Sequence, residues 1–376
     1  MPLSPAESTL VDQAAALARD TVAPLAARWE RERRLGHEGM AAAAALGLLR
    51  LQIPVASGGL GLSFSCKARV TEVLAAADFG FAMSLVNSHN VAANLARNAV
   101  PAVAALYLPE LMAGTRLGCT ALSEPGAGSD FAAINTTASK LDSGWRIDGA
   151  KAWITNAAEA DVVVVYAQTE PGSGGRGIAG FVVDGRRAGF MREPAFVLGG
   201  QHSIGAGGFR LANYRANDAE LLFPPGQAFK AALGSINGAR TYIAAMCNGM
   251  VGEALRLVQA YGEQRQTFGR PLADHQGWRW RLAEAASELA ASRWMVEHAA
   301  ALIDAGDDAQ LAAAQAKLLA TRLADRQLPA LAQAMGAEGL REHYPFARHL
   351  MGARVAGLVD GSTEMLLERI CAVMRR

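Results

Sequence analysis

The feature that most constrains this chain is a change of hydrophobic period. Between about residues 117 and 222 apolar residues gather in short runs bounded by turn residues, whereas on either side they recur at steps of three and four. The runs 162–167 and 178–183 read as buried strands, and Leu141-Asp142-Ser143-Gly144 reads as a turn leading into the strand 145–149. In the C-terminal flank Trp278, Leu282, Ala285, Leu289, Val296, Ala299 and Ile303 fall on one helical stripe and are expected in a core. A further helix is expected from near Asp308, with a kink or break at Pro329, whose ring removes a donor and clashes with the preceding turn. Helices, then strands, then helices indicate segregated units and not the alternation of a doubly wound sheet. The expected class is α+β, with a helical domain at 1–116, a β-domain at 117–225 and a second helical domain at 226–376.

Composition narrows the function. The 376 residues suffice for several structural units around a sizeable core, and abundant Ala with few aromatics favours closely packed helices. A net charge of +1 argues against nucleic acid or an anionic membrane as a general partner. Cys66, Cys119, Cys247 and Cys371 lie far apart without metal-type spacing, so reduced and mostly buried thiols are expected, and no metal site. With no basic segment leading into an apolar run at the N-terminus and no stretch of membrane-spanning length, a soluble, unprocessed, cytoplasmic protein is expected.

Four polar blocks stand out. The first, L-G-C-T-A-L-S-E-P-G-A-G-S-D at 117–130, is a short apolar strand followed by a Gly-rich turn able to approach a ligand with its backbone. The second, G-A-K-A-W-I-T-N-A at 149–157, precedes the strand at 161–167. Together they offer Ser123, Ser129, Thr155 and Trp153, which suit a flat, hydrogen-bonding ring system. The third is R-Q-T-F-G-R-P-L at 265–272 with Gln276 beyond it, and the fourth runs from Gln333 through Gly336 and Gly339 to D-G-S-T-E at 360–364. The Gly-rich segment 171–177 lacks the strand-to-helix context of a phosphate loop and is read as a hairpin connection.

These four blocks, in their order and spacing, resemble the acyl-CoA dehydrogenase flavoprotein family over nearly the whole chain. The resemblance implies an N-terminal helical domain, a central β-domain and a C-terminal four-helix bundle, with FAD between the last two. It implies that Leu122 and Ser123 contact the isoalloxazine ring, that Trp153 packs against it and that Thr155 donates to it, polarising the N5 side that accepts hydride. Ser129 matches a position near the substrate's pantetheine-phosphate portion. In the third block Arg265 matches an Arg that pairs with the FAD pyrophosphate, which suits a guanidinium fork. Phe268 and Gln276 belong to the same FAD-binding block, Gln276 reaching towards the adenine half. Because both contacts cross a subunit boundary in the family, at least a homodimer, or a homotetramer, is implied. Gln333 and Gly336 match the adenine side, although Gly336-Ala337 stands where two glycines are usual. Ser362 and Glu364 match positions that meet the flavin, with Ser362 in place of the usual Thr.

Asp360 stands where most members carry the catalytic Glu. The chemistry implied is removal of the proton α to a thioester by this carboxylate while the β-hydrogen leaves as hydride. The shorter side chain retracts the carboxylate by roughly 1.5 Å, one carbon-carbon bond, and a misplacement near 1 Å can cost about 100-fold. The other position used for the base in the family holds Ala239, so Asp360 is the candidate, with a helix N-cap as a role that could replace or accompany catalysis. Asn237 and Arg240 match a pair that supports the substrate. The run Asn87-Ser88-His89-Asn90 matches a region that lines the acyl pocket, while a helix face bonded to its neighbour accounts for it equally; as a pocket wall it would point to a polar or short acyl group.

The resemblance thus implies FAD-dependent α,β-dehydrogenation of an acyl thioester, on coenzyme A or an acyl carrier protein, with an electron-transfer flavoprotein as acceptor. Three alternatives stay open from sequence: oxidation of a carrier-bound hydroxyacyl group in a polyketide or peptide antibiotic pathway; a flavin oxidase of a small carbon acid such as a nitroalkane; and a flavin-binding structural or nucleic-acid-binding relative that no longer dehydrogenates.

Overall fold

The chain enters its first helix through a reciprocal cap: the Ser4 hydroxyl accepts from the Glu7 amide, the Glu7 carboxylate accepts from the Ser4 amide, and Pro5 takes the first helical position. The computed structural model describes residues 3–375. Its N-terminal unit comprises α1 (Pro5–Leu17), α2 (Ala23–Glu32), α3 (His37–Ala45), α4 (Phe64–Ala77), α5 (Phe79–Asn98) and α6 (Pro101–Ala113). Helix α5 is buried on nearly every face, as expected of a helix covered on all sides by protein.

Eight strands follow in one sheet: β1 (Gly118–Ala121), β2 (Thr137–Lys140), β3 (Trp145–Ile154), β4 (Val162–Gln168), β5 (Ile178–Asp184), β6 (Phe190–Arg192), β7 (Gly207–Ala216) and β8 (Leu221–Phe223). Along the sheet they run β6-β7-β3-β2-β4-β5-β8, with β1 parallel to β4. The four valines of β4 are fully buried, the pattern of a central strand covered on both faces. The segment 171–177 joins β4 to β5 as a hairpin, with Val162 opposite Asp184 and Gln168 opposite Ile178, as the missing phosphate-loop context requires. The strand expected at 145–149 is longer than its reading: β3 runs on through Gly149 to Ile154, and a turn separates it from β4.

The last unit contains α7 (Ala228–Gln264), a two-residue hairpin of β9 (Gln266–Thr267) and β10 (Arg270–Pro271), then α8 (Gln276–Ala305), α9 (Gln310–Ala334), α10 (Phe346–Leu358) and α11 (Thr363–Met374). Helices α7 to α10 form the expected four-helix unit, and α11 adds a short fifth helix against α9. Leu282, Ala285, Leu289, Val296 and Ala299 are buried as the stripe requires, with Trp278 and Ile303 packed half-buried at its ends. No break occurs at Pro329, because α9 continues to Ala334. Leu328 and Leu331 are buried on either side of the proline, and the Asp325 carboxylate in the preceding turn pairs with Arg354 of α10. Tertiary packing of this kind outweighs the roughly 3 kcal/mol cost of an interior proline.

Helix α4 packs on α7, so both helical units share one core. Cys66, Cys119 and Cys247 are buried, Cys371 is exposed, and all four are free thiols. Among the described residues no helix is long and apolar enough to cross a membrane.

Candidate active site

The turn between α10 and α11 has an unusual electrostatic frame. Lys317 of α9, fully buried, donates to the Val359 carbonyl and, at 2.7 Å, to the Gly361 carbonyl. From α7 the Arg240 Nε donates to the Asp360 carbonyl at 3.3 Å. Two cations from two helices thus hold three consecutive carbonyls. The Asp360 backbone is left-handed, φ +52°, a conformation that Asp tolerates better than most residues. The cap of α11 is Ser362, whose hydroxyl accepts from the Met365 amide at 3.5 Å. The capping role considered for Asp360 therefore falls to Ser362, since Asp360 lies two residues too early with a left-handed backbone.

Burial raises the Asp360 carboxyl above the ordinary carboxylate range, while the Lys317 and Arg240 charges pull it back. Lys317 itself is pushed down to about 8, chiefly by burial, with Asp360 opposing. A carboxylate made more basic by its surroundings, yet faced by two cations, is suited to take a proton from carbon. Lys317 was not among the residues singled out from sequence; its signal was a lone lysine inside the run A-A-A-Q-A-K-L-L-A at 312–320.

One turn before Arg240 on α7, the Asn237 Oδ1 is buried and has no hydrogen-bond partner among the described residues, an acceptor open to a ligand's donor. The run on α5 divides between its two readings. Asn87 accepts from the Thr120 amide at 3.1 Å, Ser88 accepts from the Gly118 amide at 3.0 Å, and the His89 Nδ1 lies 3.1 Å from the Leu49 carbonyl. These three bind helix to strand and loop. Asn90 alone turns towards α4 and α7.

In the β-domain, Leu122 and Ser123 leave β1 and are clamped to β3. The buried Lys151 donates to the Leu122 carbonyl at 3.0 Å and pairs with Glu124 at 2.9 Å, and the Ala152 amide donates to the Ser123 carbonyl at 3.2 Å. Glu124 also accepts from the amides of Asn135 and Thr136. Burial pushes the Glu124 carboxyl up, but Lys151 and these donors more than reverse it, leaving it below the ordinary range. Sequence reading missed this pair, which sets the first block against the second. The β3–β7 register shifts between Lys151 and Ile154, and within that irregularity Trp153 takes φ +63°. A bulge re-aims its side chain: the indole is 65% exposed and lies 4.7 Å from the Phe196 ring. Thr155 follows half-buried. Ser123, Trp153 and Thr155 are thus brought together at neighbouring strand ends, while Ser129 is exposed in the turn beyond.

The third block forms the β9–β10 hairpin, whose turn residues Phe268 and Gly269 have φ +50° and +76°, as a two-residue turn with both centres left-handed requires. Phe268 is 98% exposed. Arg265 is exposed where α7 ends, Gln276 where α8 begins, and Gln333 and Gly336 where α9 ends. Trp278 joins these ends by packing over Gly262 and donating to the Ala334 carbonyl at 3.0 Å. They are far from Asp360: the 25 residues of α7 between Arg240 and Arg265 correspond to about 38 Å of helix at 1.5 Å each. One chain therefore presents two separated groups of the expected residues. Ser362 lies in the Asp360 group, with Glu364 exposed just beyond it.

The exposed indole beside hydroxyl-bearing strand ends offers a platform for a flat ring, and the helical unit carries a base-like carboxylate. Family models described as the acyl-CoA dehydrogenase N-terminal, middle and C-terminal domains match residues 4–115, 119–213 and 226–374. The human mitochondrial short-chain specific acyl-CoA dehydrogenase is 33% identical over 350 residues, covering 91% of this chain and 83% of that protein. The structure of butyryl-CoA dehydrogenase from Megasphaera elsdenii superposes with a TM-score of 0.95 at 27% identity, covering all of both chains. A glutaryl-CoA dehydrogenase from Mycobacterium smegmatis, in complex with FADH2, superposes with a TM-score of 0.93 at 25% identity, covering 99% of this chain and 95% of that one. The chain belongs to the acyl-CoA dehydrogenase family, and it is an FAD-dependent oxidoreductase of acyl thioesters.

Proposed function

We propose that this chain converts a short acyl thioester to its α,β-unsaturated product, with Asp360 as the base that takes the α-proton. The observation that carries this is the Asp360 turn, where burial makes the carboxylate more basic while Lys317 and Arg240 keep an ionised form accessible. When bound, FAD supplies the acceptor for the β-hydrogen. Leu122, Ser123, Trp153 and Thr155 hold the ring end, and Ser362 and Glu364 approach it from the bundle. Asn237, with its unpartnered oxygen, and Arg240 support the substrate, while Ser129 meets the pantetheine portion. Water exclusion falls to the Trp153 face once ring and substrate cover it.

Arg265, Phe268, Gln276, Gln333 and Gly336 hold the pyrophosphate and adenine half of a cofactor bound mainly to a second copy. The 38 Å or so of helix between Arg240 and Arg265 supports this, as does the fully exposed Phe268 ring. A homodimer, or a tetramer of two such dimers, is therefore the working assembly. The protein acts in the cytoplasm and passes its electrons to an electron-transfer flavoprotein.

The test is anaerobic bleaching of the oxidised flavin by a panel of coenzyme A thioesters, with Asp360→Ala and Asp360→Glu alongside. Bleaching by a short thioester that drops by at least about 100-fold in the Ala variant, with flavin retained, is the expected result. Bleaching unchanged in that variant would remove Asp360 from the reaction. Reduction only by carrier-protein thioesters would move the substrate to that carrier.

A further inference from the structure

Lys151 of β3 and Glu124 of the turn after β1 pair at 2.9 Å, with both side chains buried. The two partners are tied differently. Glu124 also accepts from the amides of Asn135 at 2.6 Å and Thr136 at 2.9 Å, whereas the Lys151 ammonium donates at 3.0 Å to the Leu122 carbonyl. The lysine is therefore the member of the pair in direct contact with the peptide group between Leu122 and Ser123. At the other end of that peptide group the Ser123 amide has no hydrogen-bond partner among the described residues. Two residues beyond Lys151 along the chain, Trp153 presents its exposed indole.

Joining two strand ends does not by itself explain these charges. A buried ion pair adds little stability over apolar side chains of similar volume. Burial pushes Lys151 down to about 8 with Glu124 opposing the fall, which leaves the ammonium charged at neutral pH. A cation on a carbonyl oxygen polarises the whole peptide group and strengthens the N–H at its other end as a donor. Such a donor, and the cation behind it, count for most when the flavin ring is reduced. A hydride added to the neutral oxidised ring brings two electrons and one proton and leaves one net negative charge, so the charges and donors that face the ring set how readily it accepts.

We propose that Lys151, acting through the peptide group between Leu122 and Ser123, is a positioning residue that raises the reduction potential of the bound flavin, and that Glu124 keeps it charged while partly offsetting its effect. The proposal rests on the reading of Leu122, Ser123 and Thr155 as residues that hold the flavin ring. The two charges then act with opposite signs. Removing the lysine disfavours the reduced ring, because the Ser123 amide weakens as a donor and the Glu124 charge is left alone. Removing only the carboxylate favours the reduced ring for as long as Lys151 retains its proton. Removing both takes away the cation without leaving a buried unpaired charge. A pair that served only to join β1 to β3 would not divide in this way.

The test is the midpoint potential of the bound flavin, measured anaerobically against reference dyes at pH 6, where the lysine holds its proton. FAD-loaded parent, Lys151→Met, Glu124→Gln and the double variant are compared. Lys151→Met and the double variant should each shift the equilibrium towards the oxidised form by at least about tenfold, which is about 30 mV for a two-electron couple. Glu124→Gln should shift it towards the reduced form. A smaller shift in the double variant, or a Glu124→Gln protein that moves the same way or not at all, would overturn the proposal. Should Lys151→Met fail to fold or to load flavin, the double variant and Glu124→Gln carry the decision. Thr155→Ala separates the proposal from the reading beneath it. If that variant keeps the parent's FAD affinity, flavin absorption bands and potential, the ring is not held at these strand ends and the reading itself fails. If it alters them while the double variant keeps the parent's potential, only the role of Lys151 fails.

Discussion

Replacing Lys317 by Met probes the turn that carries the proposed base. Met preserves most of the volume while removing the charge and the donors to the carbonyls of Val359 and Gly361. Each buried carbonyl left unsatisfied costs about 1 to 3 kcal/mol, and partial solvation of the relaxed turn sets the expected loss of stability at about 2 to 4 kcal/mol. The turn then no longer fixes Asp360, and a displacement near 1 Å would slow proton removal by about 100-fold. The electrostatic effect has a definite sign. Burial already raises the folded-state carboxyl of Asp360 above its unfolded value, and Lys317 opposes that rise. Without Lys317 the carboxyl moves further up, so the ionised base is lost at a higher pH as the solution is acidified. The protonated form is the one the fold favours, so this group's contribution to stability is complete below the unfolded carboxylate pKa and disappears as pH rises through the folded value. Stopped-flow measurement of anaerobic flavin bleaching across pH 5 to 9, with flavin content and urea midpoints checked in parallel, reads all three effects. A variant with an unmoved acid limb and a bleaching rate within threefold of the parent would refute this account of the turn.

Two further outcomes follow from the β-domain and the hairpin. Glu124→Gln leaves the buried Lys151 charge without its partner and should cost about 3 to 5 kcal/mol in urea unfolding; because the folded Glu124 carboxyl is lowered, its stabilisation is complete above the ordinary carboxylate range and lost as pH falls through the lowered value, so the gap between parent and variant should close in acid. Phe268→Ala should shift sedimentation towards the monomer and speed FAD loss on dilution at unchanged secondary structure, whereas a variant that keeps both assembly and flavin would remove the hairpin from the interface.

The sequence made the order of units legible because period is a local property: β4 and the α8 stripe declare their partners through spacing alone. It also brought out Asp360, Trp153 and the Phe268 turn, each within a block of unusual composition. Lys317 and Lys151 stayed hidden, because a single lysine in an Ala-rich helix or on a strand normally extends to solvent, and only the meeting of α9 with the α10–α11 turn, or of β3 with the loop after β1, reveals what each one bonds. The proline in α9 misled for the converse reason: intrinsic propensity predicted a disruption that packing on both sides overrides. Asp360 and Ser362 exchanged the capping role because the left-handed step at Asp360 and Gly361 delays the start of α11, and such a step has no signature in hydrophobicity.

That step has a consequence for engineering the protein. The turn is held through the backbone carbonyls of residues 359 to 361 and through the hydroxyl of Ser362, and none of these contacts uses the side chain at position 360. The position behaves as a socket into which different functional groups can be plugged. Asn and Gly accept the left-handed backbone readily, whereas Val or Ile would strain it by roughly 1 to 2 kcal/mol. A small library at this site, restricted to residues that tolerate the conformation, should return folded proteins that still load flavin while their chemistry varies, making position 360 a place where reactivity can be rewritten without redesigning the scaffold.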